Sequence, residues 1–172
     1  MLNNMEHEKE SQYTLKNFLP LIIIYSIIIL FTGTKQFFYG FDIHNAMYDF
    51  MGIYFIIFSL FKIINLKGFA EAYSTYDIIA KRFTAYAYLY PFIELILGIF
   101  YLMRFQLFMV NVATLLLMTI SSIGVAYELA QKKEIMCACL GVVFKIPMTY
   151  VTLTEDLVMG IMAFIMLIYA YF

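Results

Sequence analysis

About five stretches of this chain are apolar for long enough to cross a bilayer as helices, which takes about 17–25 residues each. The first covers residues 18–34, with Ile22-Ile23-Ile24 and Ile27-Ile28-Ile29-Leu30, and reaches full length if Gln36-Phe37-Phe38 extend it. Pro20 falls in its first turn, where proline is tolerated. No small-residue cleavage site follows, so the run reads as a retained anchor and not a removed signal peptide. The second run is 47–64, with Lys62 near its end, where the ammonium can reach the headgroups. The third is 85–103, with Pro91 and Glu94 inside it. Arg104-Phe105-Gln106 joins it tightly to the fourth, 107–127, which predicts antiparallel neighbours. The last run is 151–172, and Glu155 and Asp156 near its start would complement a helix N-terminus.

Residues 65–84 follow a different pattern. Phe69, Tyr73, Tyr76, Ile79, Ala80 and Phe83 recur at steps of three and four. Lys67 and Glu71, and Asp77 and Lys81, are spaced as ion pairs along one helix. This predicts an amphipathic helix lying flat on the membrane surface. Residues 1–17 are polar and of mixed charge, and read as a tail that turns helical near the membrane.

Composition agrees. The chain is 64% hydrophobic and 13% charged, where soluble domains run at about 45–50% and about 25%. The expected fold is therefore all-α: a polytopic membrane helical bundle of about five spans plus one interfacial amphipathic helix. The bundle is one domain over 18–172, with 1–17 as its tail, and the lipid bilayer is its first partner. A net charge of −1 gives nucleic acid no electrostatic hold.

Charge asymmetry sets the orientation. Five spans put Lys9, Lys16, Lys62, Lys67, Lys81, Arg82, Lys132, Lys133 and Lys145 on one side and leave Lys35 and Arg104 on the other. Basic excess marks the cytoplasmic face. The expectation is an inner-membrane, multi-pass protein with a cytoplasmic N-terminus.

The connection 128–150 lies on that basic side and holds the chain's two cysteines, Cys137 and Cys139. In an extended segment, side chains two apart share a face, so both sulfurs could meet one soft metal ion or one redox partner. In a helix they would diverge by about 200°. Gly141 and Pro147 favour the non-helical case. A cytosolic pair stays reduced, and thiolates select ions such as Cu(I) and Zn. The alternative is that both cysteines are packing material.

Glu94 is the acid deepest in a span by sequence count. A charge at that depth is costly, so it should face the bundle interior and find a partner among Lys62, Tyr90, Asn111 and Lys145, with Lys62 preferred. It is then either a cation or proton relay or a structural ion pair. Glu155 and Asp156 are either hard ligands for an incoming cation or helix-capping groups. Met109, Met118, Met159, Met162 and Met166 are either a thioether ladder for Cu(I) or ordinary core filler. Asp42, His44 and His7 read as solvated residues or weak ligands. No nucleophile–base pair, phosphate loop or zinc motif is visible, which points away from an enzyme.

The run Phe61-Lys62-Ile63-Ile64-Asn65-Leu66-Lys67-Gly68-Phe69-Ala70, then Tyr76-Asp77-Ile78-Ile79-Ala80-Lys81, resembles the MauE/DoxX-like group of redox-associated membrane proteins. So do Tyr90-Pro91-Phe92-Ile93-Glu94-Leu95, Cys137-Ala138-Cys139-Leu140-Gly141 and Thr152-Leu153-Thr154-Glu155-Asp156. The resemblance covers residues 47–165 and implies a small helical membrane bundle. It also implies a part in disulfide formation during maturation of a partner such as methylamine dehydrogenase. Relatives with an N-terminal heavy-metal-associated domain imply metal traffic instead, but no cysteine precedes Cys137 here. The chain also lacks the second cysteine pair of membrane thiol oxidoreductases that reduce a quinone, which argues against autonomous disulfide catalysis.

Two functions follow. One is soft-metal handling (Cu, Hg or Zn type) at Cys137 and Cys139, with Glu94, Lys62, Glu155 and Asp156 in support and a metallochaperone as partner. It needs no covalent cofactor. The other is a MauE-type thiol–disulfide redox role beside a thioredoxin-like or client protein.

Overall fold

The computed structural model describes residues 15–130 and 149–171. Its helices are α1 Leu15–Tyr39, α2 Ile43–Ile64, α3 Leu66–Tyr73, α4 Thr84–Leu102, α5 Leu107–Ala130 and α6 Thr149–Tyr171. No strand occurs among the described residues. Four helices are long and apolar enough to cross a membrane: α1 from Leu21, α2, α4, and α5 as far as Tyr127. α6 is a further 23-residue helix that carries Glu155 and Asp156.

The outer surface explains the apolar composition. Ile22, Ile23, Leu30, Phe37, Leu89 and Leu116 are all exposed large hydrophobic residues. A water-soluble monomer does not display so much apolar surface, whereas a bilayer requires it. Backbone polar groups in lipid must be satisfied within the chain, and long helices do this.

Two helix pairs carry the packing. α2 lies along α4, and α5 lies along α6, with α1 against α2 and α3 against α4. The tight connection predicts that α4 and α5 are neighbours, and they are. The larger share of α4's packing is on α2. The reason lies in two glycines. A Cβ added to Gly98 would sit 2.9 Å from the Gly52 carbonyl oxygen and 3.0 Å from Phe55 Cβ. Small residues let two backbones approach closely, and close approach is a main source of helix association in lipid.

The segment after α2 corrects the expectation of one flat helix over 65–84. Asn65 caps α3, accepting from the Gly68 amide at 3.2 Å, and α3 ends at Tyr73. The Ser74 and Thr75 hydroxyls turn back onto the Ala70 and Ala72 carbonyls. Asp77 then accepts from the amides of Ile79 and Ala80 at 2.9 and 2.7 Å, which starts a new turn. Side chains that bond nearby backbone in this way compete with helix continuation. The apolar face is also not spread over the membrane surface. Phe69, Tyr73, Tyr76 and Ala80 are buried in the bundle, and the Tyr76 carbonyl comes so close to α5 that a Cβ on Gly124 would meet it at 2.7 Å.

Two helix starts also differ from the apolar runs. α2 begins four residues before its run because Asp42 caps it, accepting from the amides of His44 and Asn45. α6 begins at Thr149, so Glu155 and Asp156 lie beyond its first turn. They do not cap it.

Candidate functional site

Lys62 stands near the C-terminal end of α2, and its side chain turns inward instead of reaching for the headgroups. It is 6% exposed. Its Nζ donates to both carboxylate oxygens of Glu94 on α4, at 2.6 and 2.5 Å. Glu94 is 3% exposed. The ammonium also lies 5.0 Å from the Tyr90 ring centre and 5.5 Å from that of Phe69. An aromatic face attracts a desolvated cation, so the Phe69–Tyr90 cage holds the charge where water cannot. Of the partners proposed for Glu94, Lys62 makes the ion pair, and Tyr90 lends its ring face to the same ammonium. Asn111 instead meets the Tyr101 hydroxyl at 2.8 Å. Lys145 lies outside the described residues.

α6 brings two further acids into the same half of the bundle. Ser121 of α5 donates to Asp156 at 2.7 Å, and Tyr25 of α1 donates to Glu155 at 3.3 Å. Both acids are buried. Asp156 is within electrostatic reach of Lys62 and Glu94. Thus the four polar residues singled out from the sequence are all buried: Lys62 and Glu94 face each other across α2 and α4, while Glu155 and Asp156 of α6 are held by Tyr25 and Ser121. Ser121 and Tyr25 were not anticipated. A serine and a tyrosine inside apolar runs carry no signal of their own until a carboxylate is placed opposite them.

A second buried link flanks the cluster. Tyr73 donates to Asp77 at 3.0 Å. Burial pushes the Tyr73 phenol well above its ordinary pKa, and the neighbouring Tyr90 and Asp77 add to the effect. It therefore remains a donor at any physiological pH. Asp77 is fully buried and does not sit on a solvated helix face, as its spacing from Lys81 had suggested.

Other sequence candidates separate from this site. Asp42 spends its carboxylate on the α2 cap and on the Asn45 side chain. His44 packs edge-on against Tyr169, 4.6 Å between ring centres. Met118, Met159 and Met166 are buried core residues, while Met109 faces outward. Among the described residues, no group of three His, Cys, Asp or Glu side chains is placed to hold a metal ion. His7, Cys137 and Cys139 lie outside the described residues. A further cluster, without a signal in the apolar pattern, stands at the other end of the bundle, built on Asp49 in the second turn of α2.

The protein-family comparison bears on both cysteines and on the whole cluster apart from Tyr25. The family described as methylamine utilisation protein MauE matches residues 42–169. No curated protein and no solved structure matches the chain. The match runs from the α2 cap almost to the end of α6 and covers most of the chain, so this membrane protein belongs to the MauE family.

Proposed function

We propose that the protein is a thiol–disulfide redox protein of the inner membrane, in which Cys137 and Cys139 cycle between dithiol and disulfide while serving a partner. The observation that carries this reading is the MauE match over residues 42–169, which spans both cysteines. The soft-metal reading draws no comparable support from the match. Chain connectivity adds a second argument. The cysteine-bearing segment leaves α5 after Ala130 and enters α6 at Thr149. Both helix ends lie at the end of the bundle nearer the Lys62 cluster.

The exchange balances as follows. One cysteine thiolate attacks a disulfide of a thioredoxin-like or client protein, and the partner's thiolate leaves. The second cysteine thiolate then attacks the mixed disulfide. The partner departs as a dithiol with two electrons, and a Cys137–Cys139 disulfide remains. The reverse sequence delivers a disulfide to the partner. A disulfide needs its Cα atoms within about 7 Å, and one closed across a single residue is strained and easily reduced. The basic excess at this end favours a cytoplasmic location, where the resting state is the dithiol.

Trapping tests the proposal. With Cys139→Ser or Cys137→Ser, the second step fails and a covalent, reductant-sensitive conjugate with the partner accumulates. Absence of a conjugate in both variants would overturn the redox reading. The same preparations report the side: a membrane-impermeant maleimide should label the wild-type pair only after permeabilisation. Labelling in intact cells would overturn the orientation.

A further inference from the structure

α1 is held unevenly along its length. Its first half is seated in the bundle. Leu21, Ile24 and Ile28 are buried, and the Tyr25 ring packs on Tyr54 and Phe58 of α2, 6.0 and 6.4 Å between centres. From Ile29 onward the helix stands off. An almost wholly apolar groove of about 690 Å³ separates it from α2 and α6, and Thr32, Gly33, Gln36 and Phe37 line the α1 side. Unfilled space means missing dispersion contacts, so packing holds this part less firmly than the first half.

Polar contacts bridge the gap instead. Lys35 Nζ lies 2.7 Å from Asp49 Oδ1 on α2, and Gln36 Oε1 accepts from the Asp42 amide at 3.1 Å. The Lys35 contact can be released at low cost. Breaking a buried ion pair is damaging when it strands a charge, and here it strands none. An Arg104 nitrogen lies 2.8 Å from the same Asp49 oxygen. Arg104 is fixed in turn by the Tyr101 carbonyl at 2.8 Å, the Asn45 carbonyl at 3.1 Å and the Tyr48 ring. Asp49, 1% exposed, therefore keeps a cation when Lys35 leaves. The Lys35 side chain is already 40% exposed, so its ammonium moves into water.

Two glycines bracket the segment. Gly33 lies within α1 and Gly40 in the link to α2, and a Cβ at either would meet nothing within 4 Å. Gly40 has φ 92°, a conformation that glycine adopts without penalty. The MauE match begins at residue 42, so α2 to α6 carry it and α1 precedes it.

We propose that residues 33–39 form a flap over the groove, hinged at Gly33 and Gly40 and latched by Lys35 on Asp49. The structure is the latched state. Released, the flap opens the α2–α6 face sideways to the bilayer while the first half of α1 stays seated. The device is independent of the cysteine chemistry, which belongs to the other end of the bundle.

Spin-label distances test it in the full chain, reconstituted in lipid nanodiscs, with Cys137→Ser and Cys139→Ser as background. One label pair, Phe38→Cys with Ile168→Cys, reads the flap against α6. A control pair, Ile23→Cys with Leu60→Cys, reads the seated half against α2. All four positions are exposed. The flap pair should show one dominant short distance. Lys35→Gln should raise the longer-distance fraction about fivefold, the upper range for a partly exposed ion pair. Lys35→Arg should restore the short distance. The control pair should stay unchanged throughout, and the melting temperature of Lys35→Gln should stay close to that of the wild type, because Arg104 still holds Asp49. An unchanged flap distance in Lys35→Gln, or broadening of the control pair to the same extent, would overturn the proposal.

Discussion

Replacing Lys62 with methionine should cost the bundle about 3–5 kcal/mol, the range for stranding one member of a buried ion pair. The effect is large because, among the described residues, no other cation is placed against Glu94. Glu94 receives both of its short contacts from Lys62. Asp156 is also within reach of the same charge. Glu94→Leu should be damaging for the mirror-image reason, since it leaves an ammonium in the aromatic cage. The double variant Lys62→Met/Glu94→Leu should recover more than half of either loss, because a well-packed apolar pair often replaces a buried ion pair at little cost. Thermal or denaturant unfolding in one detergent checks all three. A double variant as unstable as the worse single variant would show that the loss comes from packing and not from charge.

Gly98→Leu is the second large effect, expected to cost about 1–3 kcal/mol or more by overpacking. The first atom of the new side chain already collides, since a Cβ at Gly98 falls 2.9 Å from the Gly52 carbonyl oxygen. That oxygen is backbone and moves only if α2 and α4 separate. Separation would loosen the helix pair that positions Lys62 against Glu94, so the variant should also weaken the ion pair. Gly33→Ala is the control. It too is a glycine inside a helix, but its Cβ meets open space, and alanine has the higher helix propensity by about 1 kcal/mol. It should be neutral or slightly stabilising. Equal melting temperatures for Gly98→Leu and Gly33→Ala would contradict the close approach.

The helices were legible because a bilayer imposes a minimum apolar length, and this can be read residue by residue. Their starts were less legible, since a cap such as Asp42 acts through a side chain outside the apolar run. The 74–83 turns were missed for a related reason. Ser74, Thr75 and Asp77 bond the backbone locally and stop a helix that periodicity alone would continue. Within the site, Lys62 and Glu94 were paired from sequence because a charge in lipid must find its opposite. Asp156 was singled out, but its partner Ser121, 35 residues away, was not. The Asp49 cluster was invisible for the same reason. Its cations come from positions 14 and 55 residues distant, and only the fold brings them together.

The family and the bundle are settled by the MauE match and the helices. What Cys137 and Cys139 do is the central claim, and their redox state in living cells tests it most directly. Cells are given a brief oxidant pulse, quenched with acid at intervals, and the protein is alkylated with a heavy maleimide that shifts its mass once per free thiol. The account predicts two free thiols at rest, none after the pulse, and a return to two as the cells recover. Single-cysteine variants should show no intramolecular disulfide. Two free thiols at every time point, with oxidant or without, would contradict a redox-active pair.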